Sequence, residues 1–283
     1  MKFWKRAANI ALGGQKYDLE DFNFSFKATQ EDRPTIGQND IKIYNLAEST
    51  RNALKKSDPC VLNAGYEEDY GTVFAGQIAE IEHKRQGVDW ITTIKAVDAM
   101  SQWMGSHINK TYKGPISAED VLSDVLGIFG LEVQKKELAR NITYPRQKLC
   151  QGKVKDVLRQ IVVGDCKSRF IVRNGQVVIN NPRDGIQTGY KLSLETGLLS
   201  VQAEKATQSV DTENRPEKQS QQEKEATAPA YKAVCLLNYN IGCADIVQVD
   251  SPTLQGEFAV MSVVHEGETK GNKWTSTFTL RPL

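Results

Sequence analysis

Two stretches far apart in the chain follow one pattern, and it limits the fold more than any other feature. Phe74-Ala-Gly-Gln-Ile-Ala-Glu-Ile-Glu-His83 and Leu254-Gln-Gly-Glu-Phe-Ala-Val-Met-Ser-Val-Val-His265 each carry a glycine near the start (Gly76, Gly256) and a histidine at the end. A polar turn containing glycine follows in both, with Gly87 in the first and Gly267 and Gly271 in the second. Each stretch then restarts at tryptophan, as Trp90-Ile-Thr-Thr-Ile-Lys95 and Trp274-Thr-Ser-Thr-Phe-Thr279. Strand-forming sequence on both sides of a polar turn is the mark of an antiparallel hairpin. The tryptophan that opens the return strand can cover one end of a β-layer, and the threonines suit the exposed face of a pleated strand. Two related hairpins, Gly76–Asp98 and Gly256–Leu280, therefore predict two related β-units, one towards each end of the chain.

The sequence around the first hairpin supports such a unit. Tyr17–Gln30 alternates, with Phe22, Phe24, Phe26 and Ala28 on one face, and reads as a half-buried strand broken by Asp32-Arg33-Pro34. Ile41 and Ile43 mark the next strand. Asn45 is placed to cap a helix over Leu46–Lys56, which Asp58-Pro59 ends. Cys60–Tyr66, an acidic turn at Glu67–Asp69, Thr72–Glu82, a connection at His83–Gly87 and Val88–Val97 complete the set. Residues 1–98 thus read as a small antiparallel barrel or sandwich with one helix.

The middle, residues 99–185, changes character. Ser117-Ala-Glu-Asp120 has capping-box form before an apolar run at helical spacing (Val121, Leu122, Val125, Leu126, Phe129) that Gly130 stops. A second helix is expected over Val154–Val163. Phe170–Arg173, Asn174-Gly175 and Gln176–Ile179 form a hairpin with an Asn-Gly turn. In residues 186–283, strands are expected at Leu192–Val201, Ala233–Leu237, Ile246–Val249, Glu257–His265 and Trp274–Leu280. The tract at 203–229 is rich in Glu, Lys, Gln, Ser and Thr, too polar to offset its ordering entropy, and is expected to be a mobile surface loop or linker. The predicted fold class is mainly β, two β-barrels flanking a small α+β insertion.

At 283 residues the chain can hold two or three domains. A net charge of +1 argues against a protein that grips nucleic acid by neutralising phosphates. No stretch is apolar for long enough to span a bilayer. Met1–Gly14 is weakly signal-like but interrupted by Asn9, and reads as a docking arm or a first strand or helix. Five widely spaced cysteines (Cys60, Cys150, Cys166, Cys235, Cys243) suit a reducing compartment.

A search for chemistry finds little. His83 and His265 share a hairpin position, which points to structure, and His107 has no evident partner. No Cys or His pair has metal-ligand spacing. Cys166 beside Lys167 could be a reactive thiol, but a buried one fits better. Gly13-Gly14-Gln-Lys16 lacks the spacing of a phosphate loop. Glu67, Glu68 and Asp69 could act as paired carboxylates or hold a hard cation, although a solvated turn is the simpler reading. Lys84-Arg85 and Lys270, Lys273 sit at hairpin tips where they could meet an acidic surface. No catalytic residue, cofactor or metal is assigned, and no enzymatic activity is expected.

Against this background, Ile41-Lys-Ile-Tyr-Asn-Leu46, Thr50–Leu54, Val61-Leu-Asn-Ala-Gly-Tyr66 and Val73-Phe-Ala-Gly-Gln-Ile78 resemble the first tube-like domain of phage baseplate hub proteins. Gly197–Ser200, Leu236-Leu-Asn238, Gly256–Val260 and His265 look like the C-terminal part of such hubs. The resemblance implies a homotrimer with two tube-like barrels per subunit, forming a pseudo-sixfold ring. Its implied place is between the tail tube or a tube initiator and the central spike, among other baseplate proteins and a tape-measure protein. It also implies a virion component assembled in the host cytoplasm, with a lumen through which DNA only passes. The repeat alone carries part of this argument: three chains with two similar units each can present six, and so join a sixfold tube to a threefold object.

Overall fold

The computed structural model describes residues 5–31, 38–98, 105–182, 184–204 and 230–283. The expected break at Asp32-Arg33-Pro34 and residues 205–229 of the polar tract lie outside this range. The first part forms β1 (Arg6–Leu12), β2 (Gln15–Asp18), β3 (Phe24–Glu31), β4 (Gln38–Tyr44), β5 (Pro59–Tyr66), β6 (Asp69–Gln86) and β7 (Asp89–Val97). The middle forms β8 (His107–Tyr112), β9 (Ile116–Ser117), β10 (Glu132–Lys136), β11 (Thr143–Tyr144), β12 (Lys148–Lys153), β13 (Arg169–Arg173) and β14 (Gln176–Asn180). The last part forms β15 (Ile186–Ser193), β16 (Leu198–Glu204), β17 (Ala230–Leu236), β18 (Asp245–Asp250), β19 (Gln255–Glu268) and β20 (Trp274–Pro282).

The strands of the two end parts build one 13-stranded sheet, in which the same arrangement occurs twice. The first unit runs β3-β4-β7-β6-β5-β1, with β2 added outside β1. The second runs β16-β17-β20-β19-β18-β15. Neighbours are antiparallel throughout, except that β15 lies parallel to β18. The units meet where the second half of β19 pairs with β3, from Ser262↔Glu31 to Glu268↔Ser25.

Alternation along the strands explains the cores. One face of β3 and β4 buries Phe24, Phe26, Ala28, Ile41 and Ile43, which join Ile10, Leu62, Ile78 and Ile94 in the first core. Trp274 and Leu237 of the second unit pack into that same cluster. The second unit has its own core of Ala233, Val247, Val249, Val260, Val263, Phe278 and Leu280. A third core lies in the middle part. There the Ala118–Phe129 helix is capped by Ser117, whose side chain accepts from the Asp120 amide, and it ends at Gly130 in the left-handed region. Its apolar stripe packs on Val154, Leu158, Ile161 and Phe170.

Several expectations shift in detail. Tyr17–Gln30 is interrupted: Tyr17 belongs to β2, and the strand carrying the buried stripe starts only at Phe24. The helix after β4 is shorter than expected, Glu48–Ala53, and Asn45 does not cap it. Asn45 stands at φ 56° and binds the first hairpin, donating to Asp89 and accepting from the Trp90 amide at 2.9 Å. The expected strand over Leu192–Val201 is split by a tight turn of 3-10 helix at Leu194–Thr196, held by Thr196 and Ser193 bonding to each other's backbone. The helix over 154–163 is α-helical to Arg159 and continues as a π-helical turn to Asp165.

Candidate assembly interface

The two hairpins match rung by rung. In the first, Gln77↔Val97 and Ile78↔Ala96 precede a bulge at Ala79, after which Ile81↔Ile94, His83↔Thr92 and Arg85↔Trp90 pair. In the second, Ala259↔Arg281 and Val260↔Leu280 precede a bulge at Met261, after which Val263↔Phe278, His265↔Ser276 and Gly267↔Trp274 pair. A bulge bends and twists its strand, so the same bulge at the same place gives both hairpins the same bend. The match extends outwards: Ile41↔Ile94 corresponds to Ala233↔Phe278, and Cys60↔Gly76 to Val247↔Phe258.

This register corrects one expectation. Gly76 and Gly256 are not equivalent: Gly76 stands where Phe258 does, and Gly256 where Phe74 does. Each unit pairs a phenylalanine with a glycine two residues away, in opposite order. At Gly76 a Cβ would lie 2.3 Å from the Val97 carbonyl oxygen and 2.5 Å from the Phe74 ring. Gly256, at φ +136°, takes a backbone conformation open chiefly to glycine.

The histidines occupy one position in opposite surroundings. His83 Nδ1 lies 3.1 Å from Thr92 Oγ1, and His265 Nδ1 lies 2.7 Å from Ser276 Oγ. The Asn238 amide donates to Ser276 Oγ at 2.9 Å, and that hydroxyl also lies 3.5 Å from the Asn238 carbonyl oxygen, so Ser276 ties His265 to the backbone of Asn238. His265 is 1% exposed, and burial holds its pKa down at about 4. His83 is exposed. The difference is coverage, because β3 lies against β19, with Ala28 opposite His265.

The tryptophans also diverge. Trp274 is 2% exposed and donates from Nε1 to the Gly65 carbonyl oxygen at 3.0 Å. The Arg6 guanidinium stands 5.4 Å from its ring centroid and donates to the carbonyl oxygens of Gly271, at 2.6 Å, and Glu268, at 3.1 Å. The first unit thus clasps the tip of the second hairpin. Trp90 is 37% exposed and is covered by Arg51 of its own unit, 4.3 Å from the ring centroid.

The remaining candidate residues scatter. His107 is exposed, with Nδ1 near the Gly105 carbonyl. The five cysteines are buried free thiols. Burial raises the Cys166 pKa, the reverse of what a reactive thiol needs, and pushes Cys60 and Cys235 up to about 12. Gly13 and Gly14 form the tight turn joining β1 to β2. Glu67 and Glu68 turn between β5 and β6. Glu67 pairs with Lys5 at 3.1 Å beside a recess of about 230 Å³, while Asp69 accepts from the Tyr239 hydroxyl. Among the described residues no group of three or more His, Cys, Asp or Glu side chains is placed to hold a metal ion.

Arg173 is a tether that sequence reasoning missed. From β13 it reaches Asp245 at 3.0 Å and the Cys243 carbonyl oxygen at 2.9 Å, tying the middle hairpin to the second unit. Its sequence signal is only a basic residue beside an Asn-Gly turn.

No protein-family model matches the sequence, and no curated protein matches it. Solved structures do match its fold. The 43 kDa tail protein of prophage MuSo2 from Shewanella oneidensis is similar at a TM-score of 0.70 and 10% identity, covering 98% of each chain. A tail protein from Neisseria meningitidis MC58 is similar at 0.67 and 10% identity, covering 98% of this chain and 97% of that one. The Escherichia coli c3393 protein, a type VI secretion component described as similar to the T4 tail proteins gp27 and gp5, is similar at 0.65 and 11% identity. It is covered over 76% of its length, and this chain over 97%. The expected likeness to phage tail proteins is therefore present in the fold over nearly the whole chain.

Proposed function

We propose that this chain is a structural subunit of a phage tail or phage-derived particle, acting as a hub on the tail axis without catalysis. Three copies form a pseudo-sixfold ring that joins the tail tube to the central spike and encloses a channel for the genome. The carrying observation is the duplicated unit, whose hairpins share register, bulge and polar pair. A head-to-tail arrangement of two-unit chains gives six near-equivalent positions from three subunits. The fold shared with tail proteins supports the reading.

The test is the mass of the purified protein by light scattering, alone and with its spike, together with images of isolated particles. Three copies on the tail axis are expected. A monomer or dimer in every setting would sink the reading.

A second reading keeps the architecture and changes the machine, to a non-contractile tail tip or the spike base of a secretion apparatus. The likeness to a type VI secretion component favours it. A sheath gene beside this one would decide for contraction. A cell-wall hydrolase built on Glu67 or Glu68 predicts muralytic activity that Glu67→Gln or Glu68→Gln abolishes; no activity is expected, because Glu67 is engaged by Lys5.

A further inference from the structure

β6 is 18 residues long, and its two halves have different partners: β5 pairs with Asp69–Gln77 and β7 with Gln77–Gln86. β5 covers it from Asp69 to Gln77, and the Ile78 amide still donates to the Asp58 carbonyl. Beyond the Ala79 bulge β7 alone accompanies it among the described residues, and Glu82–Gln86 are all exposed. A long strand edge with unpaired backbone groups is a template for another strand. The corresponding half of β19 is not open: β3, the first strand of the other unit, occupies it. The strand equivalent to β3 in the second unit is β16, which ends the sheet and, among the described residues, pairs only with β17. Gln202 and Ala203, near the end of β16, are exposed.

We propose that the open edge of β6 receives β16 of a second copy of this chain as an antiparallel strand, repeating between chains the β19–β3 pairing seen within one. This deepens the ring reading above by naming its contact surface. The internal junction fixes the register. His265↔Ala28, Glu266↔Lys27, Gly267↔Phe26 and Glu268↔Ser25 translate to His83↔Ala203, Lys84↔Gln202, Arg85↔Val201 and Gln86↔Ser200. The residue types agree where the fit is tightest, since histidine faces alanine at both junctions. The next rung sets Glu82 against Glu204, with Lys84 diagonal to Glu204 and within reach to offset the repulsion. Charges on a free edge also discourage indiscriminate pairing of the isolated chain. The contact is heterologous, β6 to β16, so each added copy offers the same free edge again until a ring closes.

The test is disulfide trapping in the full chain, purified and in particles isolated from producing cells. Facing residues on antiparallel strands come close enough to bridge. His83→Cys with Ala203→Cys is expected to give reducible covalent multiples beyond the dimer. Lys84→Cys with Ala203→Cys, whose side chains point to opposite faces, is expected to give no covalent multiples, as is the wild type with its buried thiols. A trimer by light scattering that fails to trap with the first pair, or traps equally with the second, overturns this pairing and leaves the ring standing. A first pair that forms a bridge within one chain also overturns it. A chain that stays monomeric by mass in both settings and traps with neither pair overturns both.

Discussion

His265 and Arg173 show how single polar side chains are accommodated in a largely apolar sheet. His265 is neutral because charging it would cost desolvation that no partner offsets. Its folded pKa of about 4 lies below the ordinary value of 6.5, so the unfolded chain binds a proton that the folded chain refuses. Its stabilising contribution is present above pH 6.5 and is lost as pH falls towards 4. Between pH 6.5 and 5 the wild type should lose about 2 kcal/mol through this group, from ~1.4 kcal/mol per pH unit. The difference in urea midpoints between wild type and His265→Gln at the two pH values checks it, because the variant lacks this slope.

Arg173 answers a different problem. Burial raises the Asp245 pKa, and the Arg173 guanidinium works against that rise. Arg173→Met leaves the Asp245 carboxylate buried without its cation, and should cost about 3–5 kcal/mol in denaturant unfolding at pH 7. With the folded pKa raised further, the folded state holds the proton more tightly than the unfolded one. The variant's deficit against wild type therefore narrows as pH is lowered into the acid range. Little of this residue-level detail is legible in the sequence. The shared place of His83 and His265 in their hairpins is visible there, but which of them is buried depends on a strand from elsewhere in the chain.

At the scale of elements, local signals carry most of the information. The Ser117 cap, the Gly130 stop and the Asn174-Gly175 turn act within a few residues, so the Ala118–Phe129 helix and the β13–β14 hairpin stand where the sequence places them. Asn45 misleads because the same side chain can cap a helix or hold a turn, and the hairpin offers both a donor and an acceptor. The exchanged phenylalanine and glycine mislead the alignment of the repeats, because residue identity moved while the backbone register stayed. The tryptophans test how far the hairpins have diverged. Trp274→Ala should cost about 3–5 kcal/mol, as expected for a buried aromatic that also loses a hydrogen bond. Trp90→Ala should cost about 1 kcal/mol in the isolated chain, since its ring keeps mainly a cation contact. Equal costs in thermal or urea unfolding would contradict this assignment.

At the scale of the whole molecule, the sequence predicts two related β-units around an α+β middle. It does not reveal that β19 and β3 fuse the units into one sheet, nor that β15 runs parallel to β18. The first of these pairings joins strands from opposite ends of the chain, and no local pattern records it. The open half of β6 gives a prediction at this scale. Lys84→Glu removes the cation diagonal to Glu204 and adds a third carboxylate beside Glu82 and Glu204, so self-association should weaken on the order of tenfold by sedimentation, as ~1.4 kcal/mol of lost attraction and added repulsion would give. The stability of the monomer should stay within about 0.5 kcal/mol of wild type, as for most surface changes.

The β3–β19 junction also bears on how quickly a ring can be completed. Because both strands belong to one polypeptide, that contact forms as the chain folds, at an effective local concentration that no pool of separate units would reach. Every second junction of a ring made from such chains is thus in place before any two molecules collide. The encounters left to diffusion are halved, and a partial ring exposes a single kind of acceptor edge to the next arrival.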